Sequence, residues 1–529
     1  MCYTDLSIVY TKGSERVQKS ENRLFGTAAM MVAVTLLAKV FGMLRDILTA
    51  SHFGTTEAAV AYEAASRLPI TLFDFALGGV VTAAFIPIFN EILAKHGRDD
   101  AFAFANRYFN LILTVTAAIT IVGVLLAKPL IGFLAPEISA SAKELAVSLC
   151  RMMFPMIIFT GAAFCYVGIL QSFEKYMLPA VMSLVSNLVM VLYFYTLCDK
   201  LGVWGLSAAL VLGWFLQAAI QAPAAYRLGF RYRPARFLGD VYIRRALKLA
   251  LPILVCSWLQ PVCNVINTRY ASGFEGGSGI TMVSYANRLY IIIVGIFSFV
   301  ATNLLFPKLS RAEATGDADG ARRFAGTSIK ILLLIMLPLA VGIFLLAEPI
   351  TRAVYMRNRF SAHDAEMTAQ ILRLFALGIP FMSANEVLTK LFFAKQRVKA
   401  PMLSSLAAIL VNIMLCAVLV QTVGFSGIGI ASTASVAVCA VLNLALLSRD
   451  GALLTRRDFA DLLRMLVCTA VTGAVVFAFD RFTALQNDLL RVLCCGAVGI
   501  AVYGAASLCL PTAEIRTLKE RILKRSSHD

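Results

Sequence analysis

The sequence predicts an all-α integral membrane protein with about fourteen transmembrane helices. Hydrophobic residues fill 59% of the 529 positions and charged residues only 15%, whereas a soluble domain carries about 25% charged residues. Apolar runs recur along the chain, and a run of about 20 residues crosses about 30 Å of hydrocarbon as a helix. Because backbone polar groups in lipid must be satisfied within the segment, we expect these runs to be helices.

The predicted spans follow one another with mostly short connections. The second and tenth are longer than a span needs, so we expect them to tilt or to continue past the membrane. Their approximate bounds in chain order are 27–50, 59–93, 102–127, 144–172, 177–197, 203–226, 246–272, 280–306, 325–347, 366–393, 401–420, 426–447, 459–480 and 488–510.

Lysine and arginine indicate how the chain is oriented. They concentrate in both terminal tails and in alternate connections, while connections such as 273–279 and 422–427 lack them. Positively charged connections stay in the cytoplasm. Fourteen spans place every basic connection on one side, so we expect both termini to be cytoplasmic.

The first twelve spans contain a degenerate internal repeat whose offset stays between 220 and 222 residues. The clearest matches are YEAASRL at 62–68 with YANRL at 285–289, and AFIPIFNE at 84–91 with LLFPKLSR at 304–311. Since six spans are an even number, the two copies have the same orientation, related by an axis along the membrane normal. Paired bundles of this kind place substrate between their halves and work by alternating access.

The repeat predicts six parts along the chain. They are a cytoplasmic tail at 1–26, an N-terminal six-helix bundle at 27–228, a basic cytoplasmic linker at 229–245, a C-terminal six-helix bundle at 246–448, two extra helices at 457–511 and a basic cytoplasmic tail at 512–529.

Charged residues inside the spans mark the candidate substrate site, because a charge near the bilayer centre costs about 2.5–3.5 kcal/mol on insertion scales. Lys39 and Asp46 are seven residues apart on span 1 and share a helix face. Glu63, Arg67 and Asp74 form one stripe on span 2 by the same spacing argument. We expect this stripe to line the space between the two halves.

Three further arginines belong to this set. Arg45 lies on span 1, whereas Arg269 and Arg288 lie on spans 7 and 8 and have no acidic neighbour in their own helices. Surplus positive charge in a dry cavity suits an anionic substrate, and the planar donor fork of arginine suits phosphate.

Alternatives stay open for several of these charges. One pairs Glu63 with Arg67 on the same helix. Another places Arg151, Arg373 and Lys390 near helix ends, where long side chains reach the interface.

Helix breakers suggest hinges. Pro261 is expected to kink span 7 by removing a backbone hydrogen bond, and Gly78 and Gly79 weaken span 2. The alternative is that these are ordinary membrane residues without a gating role.

Other classes of protein fit the sequence less well. The net charge of +17 lies mostly in the connections and tails, which orientation in a membrane explains better than nucleic-acid binding. No P-loop, H-E-x-x-H or G-x-S-x-G motif occurs, and the cysteine spacing suggests no metal site. We therefore predict a transporter without a cofactor or metal, driven by membrane potential, an ion gradient or the substrate itself.

A family resemblance adds to this interpretation. AKVFGMLRDILTASHFG at 38–54, RLP at 67–69, SYANRLY at 284–290 and YMRNRFSAHDAEMTAQIL at 355–372 together resemble the MurJ (MviN) family of the MOP exporter superfamily, in register over about residues 27–450. The resemblance implies a V-shaped, fourteen-helix, MATE-like flippase with a cationic cavity. Its implied substrate is lipid II, the lipid-linked peptidoglycan precursor, with membrane lipids and wall-synthesis proteins as candidate partners.

The resemblance also implies roles for individual residues. The family's cavity cations correspond to Lys39, Arg45 and Arg288, its acid on span 1 to Asp46, and its basic residue before Leu-Pro to Arg67. The sequence departs from the family pattern on span 2, where Phe73 and Asp74 stand in place of an arginine pair. Val60 stands where many members have an acid, and Ile291 stands where some members have a glutamate.

Two other functions stay open at this point. The departures allow a flippase for another undecaprenyl-pyrophosphate-linked glycan. A cation-coupled multidrug exporter is the other, although it would favour an aromatic, acidic pocket over surplus arginine. A scaffold that only binds wall-synthesis proteins would have no need for the charged stripe.

Overall fold

A computed structural model describes residues 30–31, 33–77, 84–300, 309, 311, 317–449, 451, 453, 455–483 and 485–516. Within these ranges the chain is helical, and none of these residues forms a strand. The helices are α1 (33–53), α2 (Glu57–Leu77), α3 (Ile86–His96), α4 (Arg98–Leu125), α5 (Ala127–Leu134), α6 (Ala140–Met153), α7 (Met156–Ser172), α8 (Met177–Thr196), α9 (Cys198–Arg227), α10 (Val241–Ser257), α11 (Leu259–Ala271), α12 (Gly279–Val300), α13 (Ala318–Tyr355), α14 (Ala362–Ala394), α15 (Lys399–Val423), α16 (Ser426–Ser448), α17 (Arg456–Thr483) and α18 (Asp488–Cys509).

Ten helical stretches among the described residues are long and apolar enough to cross a membrane, one of them being α6 and α7 together (Ala140–Ser172), and the bent pair α10–α11 makes eleven. The predicted all-α membrane class is therefore confirmed, but the count of fourteen is not. Helix α2 falls outside the eleven for a chemical reason. Glu63, Arg67 and Asp74 fall within every stretch of 18 residues that α2 contains, so it is too charged to qualify by composition.

The chain packs as two compact units. The first comprises Met1–Leu48, Val81–Val122 and Met152–Leu247, and the second comprises Thr49–Val80, Gly123–Arg151 and Lys248–Asp529. The division of the chain at 228–246 that the repeat suggests stays a prediction. Helix α2 belongs to the second unit, where it packs against α5, α11 and α12.

Helices α2 and α12 run in the same direction within the second unit. The start of α2 is held to the start of α14 by a hydrogen bond of 2.9 Å from Thr55 Oγ1 to Asp364 Oδ1. The start of α12 lies at the same place, because Glu275 approaches His363 to 3.6 Å. Two helices that begin beside one end of a third helix, and that pack together, run parallel.

Gly54 allows the turn that leads into α2. Its backbone has a φ of +55°, which only glycine adopts without strain, and an added Cβ would lie 2.2 Å from the carbonyl oxygen of Arg359. The nearby Asn358 donates to Ser51 Oγ at 2.8 Å. These contacts position α2 from its first residue.

Candidate functional site

Two cross-helix contacts join the charged stripe of α2 to α12. Arg288 Nη2 lies 2.5 Å from Glu63 Oε1, and Arg67 Nη2 donates to Ser284 Oγ at 2.9 Å. The carboxylate is almost fully buried, with 3% of the Glu63 side chain exposed, whereas 23% of the Arg288 side chain is exposed. The hydrogen-bonded partner of Glu63 is therefore Arg288, while Glu63 also attracts the charge of Arg67 one turn away on α2.

The two contacts are related by the internal repeat. An offset of 221 residues aligns Arg67-Leu68 with Arg288-Leu289, and the same offset aligns Glu63 with Ser284. Arg67 contacts Ser284 and Arg288 contacts Glu63. The two contacted residues, like the two arginines, therefore occupy equivalent positions in the repeat. Side chains on a helix lean toward its N-terminus, which is why each arginine on these parallel helices reaches back by about one turn.

The two equivalent contacts differ in the charge of the residue that accepts from the arginine. Arg288 faces a carboxylate, but the equivalent partner of Arg67 is a neutral hydroxyl. Arg67 donates to no carboxylate among the described residues, although Glu63, one turn away on α2, attracts its charge. Two cations and one anion leave this cluster with one net positive charge.

The surplus charge expected on span 8 is smaller than the sequence predicts. Arg288 has no acid on its own helix, but Glu63 reaches it from α2, 225 residues away in sequence. Tyr285 adds a cation–π contact, with the guanidinium carbon of Arg288 5.3 Å from the ring centre. The single net charge of the cluster is therefore shared by two arginines that face one carboxylate.

The remaining predicted residues of the second unit lie elsewhere. Arg269, in the last turn of α11, donates to the carbonyl oxygen of Phe133 and stacks over that ring at 4.8 Å. Asp74 is half-buried near the end of α2. Gly78 and Gly79, the predicted hinge glycines, lie outside the described residues.

The first unit contains its own charged network, on α1 and α8. Arg45 Nη2 pairs with Asp46 Oδ1 at 2.9 Å, and Arg45 Nη1 donates to Asn187 Oδ1, also at 2.9 Å. Asn187 in turn donates to the carbonyl oxygen of Ala38 at 3.1 Å. The predicted residue Lys39 lies half-buried on the same helix.

Helix α10 and helix α11 meet at a bend of 44°. The break falls at Trp258, three residues before Pro261, whose missing N–H leaves one turn of the helix without its hydrogen bond. The indole Nε1 of Trp258 donates to the carbonyl oxygen of Phe75 on α2 at 3.2 Å. The predicted kink is present beside the charged helix, and the hinge role of Pro261 stays a prediction.

The charges with an expected position near helix ends have neighbours of their own. Arg373 lies 3.4 Å from Glu348, and Lys390 lies 3.6 Å from Glu386 one turn away. Arg151 is exposed in the last turn of α6. Neither Glu348 nor Glu386 belongs to the α2–α12 cluster.

Two polar residues of these networks were not singled out from the sequence. Ser284 was detectable, because it stands at the repeat offset from Glu63. Asn187 had a weaker signal, a lone amide in the otherwise apolar α8. Among the residues that the structure describes, no group of three or more His, Cys, Asp or Glu side chains could hold a metal ion.

Comparisons with known proteins agree on one family. Residues 49–493 match the family described as "Lipid II flippase MurJ". A "Probable lipid II flippase MurJ" of Rhizobium tropici is 31% identical over 490 residues, which cover 90% of this chain and 91% of the relative. The relative of the same name from Rhizobium meliloti (strain 1021) is 27% identical and covers 94% and 96%.

Solved structures show the same fold. One titled "Lipid II flippase MurJ, inward closed conformation" superposes with a TM-score of 0.78 at 21% identity, over 91% of this chain and 98% of that one. A multidrug resistance MATE transporter of the MOP superfamily superposes with a TM-score of 0.66 at 14% identity, over 80% and 97%. With the family match covering most of the sequence, this chain belongs to the MurJ family of lipid II flippases.

Proposed function

We propose that this protein is a flippase that moves lipid II from the cytoplasmic to the outer leaflet of the membrane by alternating access, for bacterial cell-wall synthesis. Membership of the MurJ family supports this function, as does the apolar, many-helix chain. The observation that carries the substrate chemistry is the α2–α12 cluster, in which two arginines face one carboxylate.

The chemistry of lipid II explains why such a cluster is needed. Its sugar–peptide head would lose the water around its polar groups on entering hydrocarbon, which is prohibitive without a protein. Its pyrophosphate is a dense anion that planar guanidinium groups bind with paired hydrogen bonds. Arg67 and Arg288 supply these donors in the second unit, and Lys39 and Arg45 are further proposed ligands in the first.

Two finer features belong to this proposal. Both termini lie in the cytoplasm, as the distribution of lysine and arginine predicts, and the inner membrane of a bacterium is the location. Membrane potential biases movement of a cationic site, at about 2.3 kcal/mol per charge per 100 mV.

The multidrug alternative is not favoured. The MATE transporters share the fold at low sequence identity, which carries no argument about substrate. A small cavity of about 30 Å³ in the second unit is lined by amide and hydroxyl groups, such as those of Asn264 and Ser432, and by the rings of Tyr290 and Phe375, with no acid among its lining residues. This cavity therefore lacks the acid that a pocket for organic cations would need.

Reconstitution of the purified protein into proteoliposomes tests the proposal. Wild-type protein is expected to translocate lipid II, and Arg45→Ala or Arg288→Ala to abolish translocation, because each removes a donor for the pyrophosphate. Arg481→Ala, at an exposed arginine in the last turn of α17, is the matched control and is expected to retain activity. Normal translocation by both Arg45→Ala and Arg288→Ala would contradict the assignment of these two arginines as ligands of the pyrophosphate.

Depletion in the native host tests the substrate itself. We expect lipid II to accumulate on the cytoplasmic side. Accumulation of a different lipid-linked glycan would replace lipid II with that glycan as the substrate.

A further inference from the structure

The asymmetry between the two arginine contacts has a consequence for binding. Both arginines sit at equivalent positions of the repeat, yet only Arg288 holds a carboxylate, at 2.5 Å. At Arg67 an incoming anion competes with the neutral hydroxyl of Ser284 for the guanidinium Nη2. At Arg288 the same anion must compete with Glu63 for the guanidinium.

Glu63 is suited to this competition by its position. Its side chain is 3% exposed, so water cannot solvate the carboxylate in place of the arginine, and an unpaired charge there is costly. The pair is therefore tight when no substrate is present. A pyrophosphate, with more charge and more acceptor oxygens than one carboxylate, makes stronger charge-assisted bonds to the same donors.

We propose that Glu63 is a built-in counter-anion, which holds Arg288 when the site is empty and is displaced by the phosphate anion of the substrate, with Arg67 making the first contact. This inference rests on the proposed function. Competition by Glu63 lowers the affinity of the site, and its return to Arg288 promotes release of the substrate. A transporter benefits from this exchange, because a site that binds its substrate too tightly does not release it on the other side of the membrane.

Two substitutions that move the charge in opposite directions test the exchange. Glu63→Gln removes the competitor and is expected to tighten binding of undecaprenyl pyrophosphate and of inorganic pyrophosphate by about tenfold, the scale of one charge-assisted contact. Ser284→Asp gives Arg67 the carboxylate that Arg288 already has, and is expected to weaken binding by a similar factor. Ser284→Ala, which removes the hydroxyl without adding charge, is the matched control and should change affinity by less than about twofold.

Dissociation constants of the purified protein in detergent provide the readout, with thermal unfolding as the check that each variant is folded. In an Arg288→Gln background, Glu63→Gln should no longer tighten binding, because its partner is absent. Glu63→Gln should also slow lipid II translocation in proteoliposomes while binding more tightly. A merely structural role for Glu63 would weaken both.

The outcomes separate this inference from the proposed function. If Glu63→Gln binds pyrophosphate no more tightly than wild type, the counter-anion role is wrong, while wild-type translocation of lipid II still supports the flippase. If wild-type protein translocates no lipid II, the proposed function is wrong. Should Glu63→Gln fail to fold, Ser284→Asp decides alone, because unchanged affinity there would overturn the role of Arg67 as the first contact of the anion.

Discussion

Single polar side chains decide how the charges of this protein are held. In the first unit, Asn187 accepts from Arg45 and donates to the backbone of Ala38, so one amide fixes the guanidinium and binds two helices together. In the second unit, Ser284 holds Arg67 without neutralising it. Amide and hydroxyl groups orient a cation while leaving its charge available to a ligand.

Asn187→Leu tests the role of the amide in the first unit. The substitution leaves Arg45 without one acceptor and the Ala38 carbonyl without one donor, so we expect it to lower the free energy of unfolding by about 1–3 kcal/mol. Thermal unfolding in detergent measures this loss. Ser183→Leu, at an exposed residue of α8 one turn before Asn187, is the control, and an equal loss there would show that the Asn187 network is not the cause.

Helices α13 and α17 and the segment after α18 are joined by a buried ion-pair cluster. Lys330, whose side chain is 8% exposed, lies 2.5 Å from both Asp458 and Glu514. Asp461 lies 3.9 Å from the same ammonium group and also pairs with Arg464. The two extra helices are thus attached to the second unit by charge as well as by apolar contacts such as Leu346 with Val476.

Lys330→Met tests the strength of this attachment. Removing one partner leaves carboxylates buried without their cation, so the free energy of unfolding should fall by about 3–5 kcal/mol. Lys95→Met is the matched control, because Lys95 also pairs at 2.9 Å but is 64% exposed, and it should cost less than about 1 kcal/mol. Equal losses would show that burial of the cluster does not matter.

The bend between α10 and α11 lies just before Pro261, and its role as a hinge can be tested. Pro261→Ala restores the missing backbone donor, so we expect a straighter α10–α11 helix and slower lipid II translocation with unchanged pyrophosphate affinity. Translocation at the wild-type rate would show that Pro261 kinks the helix without acting as a hinge. Pro338→Ala, inside the long helix α13, is the control.

The whole molecule has a predicted orientation that reporter fusions can measure. The connection containing Gly276 should lie outside the cytoplasm and the connection containing Gly239 inside it. Alkaline phosphatase is active only outside, so a fusion at Gly276 should be active and one at Gly239 inactive. Equal activity at both positions would contradict the predicted alternation of basic and neutral connections.

Much of the architecture could be predicted from the sequence, because a membrane limits which chain segments can cross it. Apolar length predicted the helices, and the repeat offset aligned Arg67 with Arg288 before any contact was known. Helix α2 also shows where such rules stop. Its stripe of Glu63, Arg67 and Asp74 was found by spacing, but composition alone does not qualify it as a span, because the charges that serve the site lower its apolar character.

The sequence by itself determined the all-α membrane class, the repeat and the residue types available for an anion. Only the tertiary structure decided which acid serves which arginine. Glu63 has an arginine one turn away on its own helix but pairs with Arg288 on another, because parallel packing of α2 and α12 brings that guanidinium back toward it. Local spacing limits which partners a helix can offer, whereas packing between distant helices selects the partner.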